Sequence, residues 1–415
     1  MKKILILSYF YPPCNVTANN RPVSFAKGFK KAGYSVDIVT RQWTGKEKNW
    51  NDYFMSDNLN NLTKKKEDGI QIHYLPYSTF NYWLYPFSKI QTFIQFLKGN
   101  FNYELKFHQF HPYLQELCKQ QKFDFILVTS PPLTVLKTGW RLSKEFEIPL
   151  ITDFRDFENE LLLFKKPKEN LKNIVRHKLL MPQVKKWLSK SVITFTASPP
   201  ITAYIKNYTG FPVFTVNNGF SEFFLRMNEP YSDIFTLTVT GTLYKEANIN
   251  FFISTLKTFL KNNEGEKIKI NFVGQNANLE VSKLIAAELP ADKINITDRI
   301  SQNESAKIAS SSHVLLLAGF DKLKGAYTSK IFEYLGLRRN ILQLPGDSDV
   351  VEELLKETNA GKYPHTIEEA VFYLQSWLNE WLCSNQLNYY GNIKEIKKYQ
   401  REEQIKKIIK LANEL

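Results

Sequence analysis

The sequence predicts an α/β chain of two doubly wound domains, each built on a parallel sheet. Short continuous apolar runs recur along its 415 residues, each the length of a strand buried on both faces. Stretches with apolar residues at helical spacing separate them, which is the alternation of βαβ units. At 43% apolar content the chain can supply two cores, one for each domain of roughly 200 residues.

In chain order, residues 3–8 (Lys-Ile-Leu-Ile-Leu-Ser) read as a buried strand. Residues 9–20 form a loop, 21–32 a helix stopped by Gly33, and 35–40 the next strand. This order makes a parallel sheet with its loops at the carboxyl edge. The apolar run 4–7 is too short for a secretory leader, and Pro12-Pro13 carries no cleavage pattern. No stretch of about 18 uncharged apolar residues predicts a transmembrane helix. Cys14, Cys118 and Cys383 are far apart and odd in number, so a reducing compartment without disulfide or zinc site is expected. Lys64-Lys65-Lys66 reads as a loop.

Residues 77–110 carry Phe80, Tyr82, Trp83, Tyr85, Phe87, Phe93 and Phe96, more bulky surface than one packed helix face uses. The stretch suits either a membrane–water interface or the first core. Residues 124–130 and 148–153 are two more strands. Asp153, Arg155 and Asp156 then set two carboxylates and a guanidinium at a sheet edge, which suits hydroxyl recognition or general-base work, or a self-satisfied salt bridge.

Charge is uneven. Residues 1–228 hold 32 Lys and Arg against 17 Asp and Glu, whereas the rest is near neutral. The densest run contains Lys165, Lys166, Lys172, Arg176, Lys185 and Lys186, with Glu169 as its acid and Leu171, Ile174, Val175, Leu179 and Leu180 as a helical apolar stripe. A solvated helix face is the ordinary reading of such a run. The unbalanced excess on an amphipathic stripe points instead to an anionic membrane surface. Nucleic acid is the competing polyanion, but its readers carry compact signatures that this chain lacks, so no nucleic-acid partner is expected.

Residues 193–198 and 213–216 close the first domain, and the polar, Pro-broken 228–233 is a linker. The expected domains are thus 1–228 and 229–390, with a final helix over 391–415 whose stripe is Ile405, Ile408, Ile409, Ala412 and Leu415. In the second domain, strand 236–240 enters a turn at Gly241 and Thr242, whose N–H groups can approach a diphosphate that Lys245 would neutralise. A helix over 250–260 and the stretches 268–274 and 294–300 continue the alternation. Residues 325–346 lie between apolar runs at 313–318 and 340–344 and form one βαβ crossover. Thr328 or Ser329 caps its helix, Ile331, Phe332 and Leu335 supply its apolar face, and Gly336 with Arg338 and Arg339 marks its end. The loop at Gly325 aims backbone N–H groups at an anion. Lys330 offers charge to a phosphate and Glu333 accepts from a sugar diol, unless the two are an ordinary i,i+3 surface pair. None of the six histidines sits in a catalytic motif.

At Lys330-Ile-Phe-Glu-Tyr-Leu the sequence resembles glycosyltransferase family 4, retaining GT-B enzymes that use nucleotide-diphosphate sugars, and within it a subgroup linked to bacterial capsule, O-antigen and exopolysaccharide assembly. Glu333 matches the second Glu of the family's paired-Glu signature, which implies ribose binding, while Gly325 stands in place of the first. The Tyr9 to Pro13 opening and Arg21 at a helix start are similar to the family's, with residues 15–20 in place of its usual glycine pair; this implies that Asn19 and Arg21 meet donor or acceptor phosphate. Asp153-Phe-Arg-Asp156 resembles the subgroup's Asp-x-Arg-Asp, and the position of Arg299 and Ile300 is similar to its base-binding loop. The resemblance implies two Rossmann-like domains facing across a cleft, with the last helix returning to the first. It implies sugar transfer from a nucleotide sugar to a lipid-linked or oligosaccharide acceptor, with retention, on the cytoplasmic face of the membrane, and without cofactor or metal. A sugar-nucleotide epimerase of the same fold and a basic, non-enzymatic nucleic-acid binder are the alternatives.

Overall fold

The computed structural model describes residues 1–14, 16–47, 61–77, 90, 93–94, 107–155, 171–245, 247–320 and 324–414. Two expected features fall outside them: most of the aromatic stretch 77–110, and Asp156 with Lys165 and Lys166. The side chains of Lys172 and Arg176 are likewise undescribed.

By contact the chain forms two compact units, residues 1–217 with 405–415, and residues 218–404. The sequence placed the boundary at 228. In the structure Phe220 and Phe224 pack on Gly336 of the second unit, where a Cβ would come within 2.7 Å of the Phe224 Cβ. The apolar side chains after Asn218 thus take the division upstream of the polar linker.

The first unit holds β1 (Lys3–Ser8), β2 (Ser35–Arg41), β3 (Thr63–Glu67), β4 (Ile70–Leu75), β5 (Phe125–Ser130), β6 (Leu150–Phe154), β7 (Ser191–Thr196) and β8 (Val213–Thr215). Their order in the sheet is β3-β4-β2-β1-β5-β6-β7-β8. All pairings are parallel except β3 with β4. The Lys64-Lys65-Lys66 loop is therefore a strand, an exposed edge whose lysines discourage pairing with another sheet. Successive side chains of β1 enter opposite cores, Leu5 and Leu7 on one face and Ile4 and Ile6 on the other. The Leu133–Phe146 helix lies so close to β5 that a Cβ on Gly139 would meet Val128 at 2.2 Å. Ile405, Ile408 and Ala412 of the Arg401–Asn413 helix join the core that contains Ile4 and Phe25.

The second unit has the all-parallel order β11-β10-β9-β12-β13-β14. These strands are β9 (Phe235–Thr240), β10 (Ile268–Val273), β11 (Ile294–Ile296), β12 (Val314–Ala318), β13 (Asn340–Leu344) and β14 (Gly361–Lys362). Val314 and Leu316 pack on one face, Leu315 and Leu317 on the other. Between β12 and β13 runs the Ser329–Leu337 helix, at the expected place. Its end differs from expectation. Gly336 is inside the helix, packed against Phe220 and Phe224, and Arg338 takes the left-handed terminal conformation at φ 56°. Small size at Gly336 serves close packing rather than helix termination.

Candidate functional site

The carboxyl edge of the second sheet is organised by two turns. β9 ends in Gly241 at φ 93° and β10 in Gly274 at φ 86°, conformations that glycine adopts without strain. A Cβ added to Gly274 would lie 4.0 Å from the Gly241 Cα, so the turns are neighbours. The Gly241 N–H donates to Val273 O at 2.8 Å and the Gly274 N–H to Thr297 Oγ1 at 3.1 Å. The expected diphosphate contact through the Gly241 N–H is therefore corrected: that donor is used within the sheet edge. Thr242 Oγ1 faces Gly274 O at 3.4 Å. Gln275, fully buried, accepts the Leu243 N–H at 2.7 Å and fixes the chain leaving the turn. Nothing in the local sequence singled it out, because its partner comes from another strand's loop.

The Ser329–Leu337 helix is pinned over these turns by Tyr334. Its hydroxyl accepts from the Thr240 N–H at 2.8 Å, and burial pushes its pKa up to about 12 despite that bond. This anchor sets Lys330 above Gly241, where a Cβ would meet the Lys330 Cε at 3.3 Å. Lys330 Nζ lies 2.7 Å from Glu333 Oε2, with the Glu333 side chain 11% exposed. The two residues are thus a pair, and a mostly buried one on its acidic side.

Thr328 holds the cap position before this helix, yet its hydroxyl makes no cap bond. Its Oγ1 is buried and finds no partner among the described residues. A helix start normally has its first N–H groups met by such a side chain. Here the N–H groups at Ser329 and beyond and a partnerless hydroxyl converge beside a lysine, an arrangement that can take an anion. Gly325 differs from expectation: its N–H donates to Asp349 Oδ2, so it is engaged within the protein. Lys245 forms an exposed ion pair with Glu280 rather than facing the turn alone. Arg299 and Ile300 are exposed on the loop between β11 and the Gln302–Ser310 helix.

At the carboxyl edge of the first sheet, Arg21 and Asp153 meet. Arg21 Nη2 and Nε donate to Asp153 Oδ1 and Oδ2 at 2.6 and 3.1 Å, and Thr129 Oγ1 donates to Oδ2 at 2.8 Å. Arg21 Nη1 donates to Val216 O at 2.9 Å, and the guanidinium carbon lies 5.3 Å from the Phe25 ring centre. Asp153 is fully buried. The two residues expected to meet phosphate or substrate are thus found together in a forked pair that uses both carboxylate oxygens and lies out of solvent. Arg155 remains at the edge, half-buried, with Nη1 donating to Ala18 O at 3.2 Å. Asn19 Nδ2 donates to Cys14 O and ties its own loop. Lys185 and Lys186 are exposed on the Leu171–Leu188 helix. Among the described residues, no group of three His, Cys, Asp or Glu side chains could hold a metal ion, and no helix is long and apolar enough to cross a membrane.

The chain matches no protein-family model and no curated protein. Solved structures match over its whole length. The sucrose-phosphate synthase of Thermosynechococcus elongatus is 11% identical, with 99% of that chain covered and a TM-score of 0.67. A glycosyltransferase from Rickettsia africae is 12% identical, with 98% covered and a TM-score of 0.65. Anabaena HepE, solved with UDP-glucose, is 10% identical, with 100% covered and a TM-score of 0.63. At such identities the likeness is one of fold: the chain has the GT-B architecture of two parallel-sheet α/β domains that the sequence predicted.

Proposed function

We propose that this protein is a glycosyltransferase that moves a sugar from a nucleotide-diphosphate sugar to a glycan acceptor. The observation that carries this is the set at one sheet edge: Lys330 held over the Gly241 turn, Glu333 beside it, and Thr328 Oγ1 buried at the helix start without a partner among the described residues. The helix N–H groups and the Thr328 hydroxyl would take the diphosphate, with Lys330 adding charge as the leaving group forms. Glu333 would accept from the ribose hydroxyls, in keeping with the resemblance at Lys330-Ile-Phe-Glu. The three solved structures named above, one of them holding UDP-glucose, support the same reading by fold.

The finer assignment rests on the sequence resemblance: retention, surface-polysaccharide synthesis, a lipid-linked acceptor, no metal requirement and a place on the inner membrane face. Arg155 and Asp156 remain the residues of the first unit proposed to face the acceptor, since Asp153 is committed to Arg21.

A thermal-shift screen against nucleoside diphosphates and their sugar conjugates tests this reading. A ligand at about 100 times its Kd adds roughly 2.7 kcal/mol of stability, a readily measured rise in Tm. Absence of any shift across the common bases would remove the donor site. A shift followed by release of an isomerised nucleotide sugar, without transfer, would favour the epimerase.

A further inference from the structure

The sequence drew attention to the basic run that ends at Lys185 and Lys186, but the structure adds a second helix to that face. Lys137, Trp140, Arg141 and Lys144 recur at i, i+3, i+4 and i+7 on the Leu133–Phe146 helix and so share one side of it. Lys186 of the Leu171–Leu188 helix reaches across, its Nζ 5.1 Å from the Trp140 ring centre, while the Lys144 Nζ lies 5.9 Å from the same ring. Lys137 is half-buried beside them. Burial first, and then the neighbouring Arg141 and Lys186 charges, lower its pKa. The neighbouring acid Glu145 faces His111 Nε2 at 3.5 Å and Gln115 Nε2 at 2.5 Å. On the second helix, Val175, Lys178, Pro182 and Lys185 are exposed.

Arg141, Lys144 and Lys186 are exposed around a partly exposed indole, and a polyanion complements the charge of such a face. Trp with exposed Val and Pro suits the boundary between headgroup and acyl chain, where Trp is enriched. We propose that the two-helix face centred on Trp140 is a docking surface for anionic phospholipid. Lys137, Arg141, Lys144 and Lys186 meet the phosphate headgroups, and Trp140 enters the interface. This rests on the membrane part of the proposed function and not on the sugar-transfer chemistry.

The test is co-sedimentation of the full chain with vesicles of phosphatidylcholine alone and of phosphatidylcholine with 30% phosphatidylglycerol, a composition chosen to approximate an anionic leaflet. Each basic residue near such a surface is worth a factor of about five in binding, so the K137Q/R141Q/K144Q/K186Q variant is expected to bind anionic vesicles at least a hundredfold more weakly. W140A alone is expected to weaken binding severalfold. A second variant, K64Q/K65Q/K66Q, removes charge from the exposed edge strand of the same unit and is expected to lose much less. Equal losses in the two multiple variants would mean that net charge and not this face binds, and would overturn the proposal. So would equal binding of the parent to neutral vesicles, or tighter binding to a random single-stranded oligonucleotide. Nucleotide-diphosphate binding, followed in the same preparations by thermal shift, is expected to be unchanged by all three variants. Its retention alongside lost vesicle binding separates this proposal from the donor-site reading.

Discussion

Arg21 Nη2 lies 2.6 Å from Asp153 Oδ1 although 132 residues separate them, and the pair joins the start of the Asn20–Lys31 helix to the end of β6. Removal of one partner leaves the other charge buried and uncompensated, which costs about 3–5 kcal/mol. Asp153→Asn and Arg21→Met are each expected to lower stability in urea by an amount near this range, whereas Arg21→Lys, which keeps the charge but loses the fork, is expected to lose less. The double variant Asp153→Asn/Arg21→Met is expected to lose less than the two single losses combined. Activity per folded molecule should stay near that of the parent, which reverses the order expected of a catalytic carboxylate.

Glu333→Ala is expected to weaken nucleoside-diphosphate binding about 10- to 150-fold, the equivalent of a hydrogen bond to a charged group worth roughly 1.5–3 kcal/mol. Lys330→Ala is expected to lower kcat more than donor affinity, because its charge matters most as the leaving group develops. Calorimetric titration with the nucleotide and steady-state kinetics separate the two. Unaltered nucleotide affinity in Glu333→Ala would leave that residue only as the partner of Lys330.

His313 bears on the pH dependence of stability. It is fully buried among Tyr231, Phe235 and Trp381, and its Nδ1 accepts the Thr236 N–H at 3.0 Å. Burial, with the Arg339 charge adding to it, lowers its pKa to about 4 from the ordinary 6.5. The unfolded chain therefore takes up the proton first as pH falls, and the native state loses up to about 3 kcal/mol between roughly pH 6.5 and pH 4. Above pH 6.5 the residue contributes no slope. In His313→Asn the stability gap to the parent should be larger at pH 7 than at pH 4.5, as read from urea melts at both. A gap independent of pH would mean that His313 does not titrate with folding.

Gly336→Ala is expected to destabilise by about 1–3 kcal/mol through overpacking against Phe220 and Phe224. The intrinsic helix preference of Ala over Gly opposes this by up to about 1 kcal/mol. A stabilised variant would mean that the Phe220 ring and the backbone carrying the Phe224 Cβ can withdraw; chemical denaturation decides.

Local rules were enough for the elements. Continuous apolar runs marked β1, β5, β12 and β13 because such strands are buried on both faces, and helical spacing marked the last helix because one stripe of it enters a core. The pattern of Lys330, Glu333 and Thr328 before a helix was legible for the same reason: residues three apart on a helix must be neighbours. Partnerships between distant segments were not legible. Arg21 and Asp153 each looked available in their own motifs, and only the packing of the first unit closed one upon the other. The Gly241 and Gly325 amides looked free because a sequence names donors without their acceptors, Val273 O and Asp349. Lys64 to Lys66 looked like a loop, since a charged run has no apolar period; pairing with β4 made it a strand. Trp140 lacked any motif, and its place among lysines came from two helices lying side by side. Sequence fixes what each segment prefers over a few residues, whereas the cost of burying a charge or an amide is settled only by what tertiary packing brings within 3 Å of it.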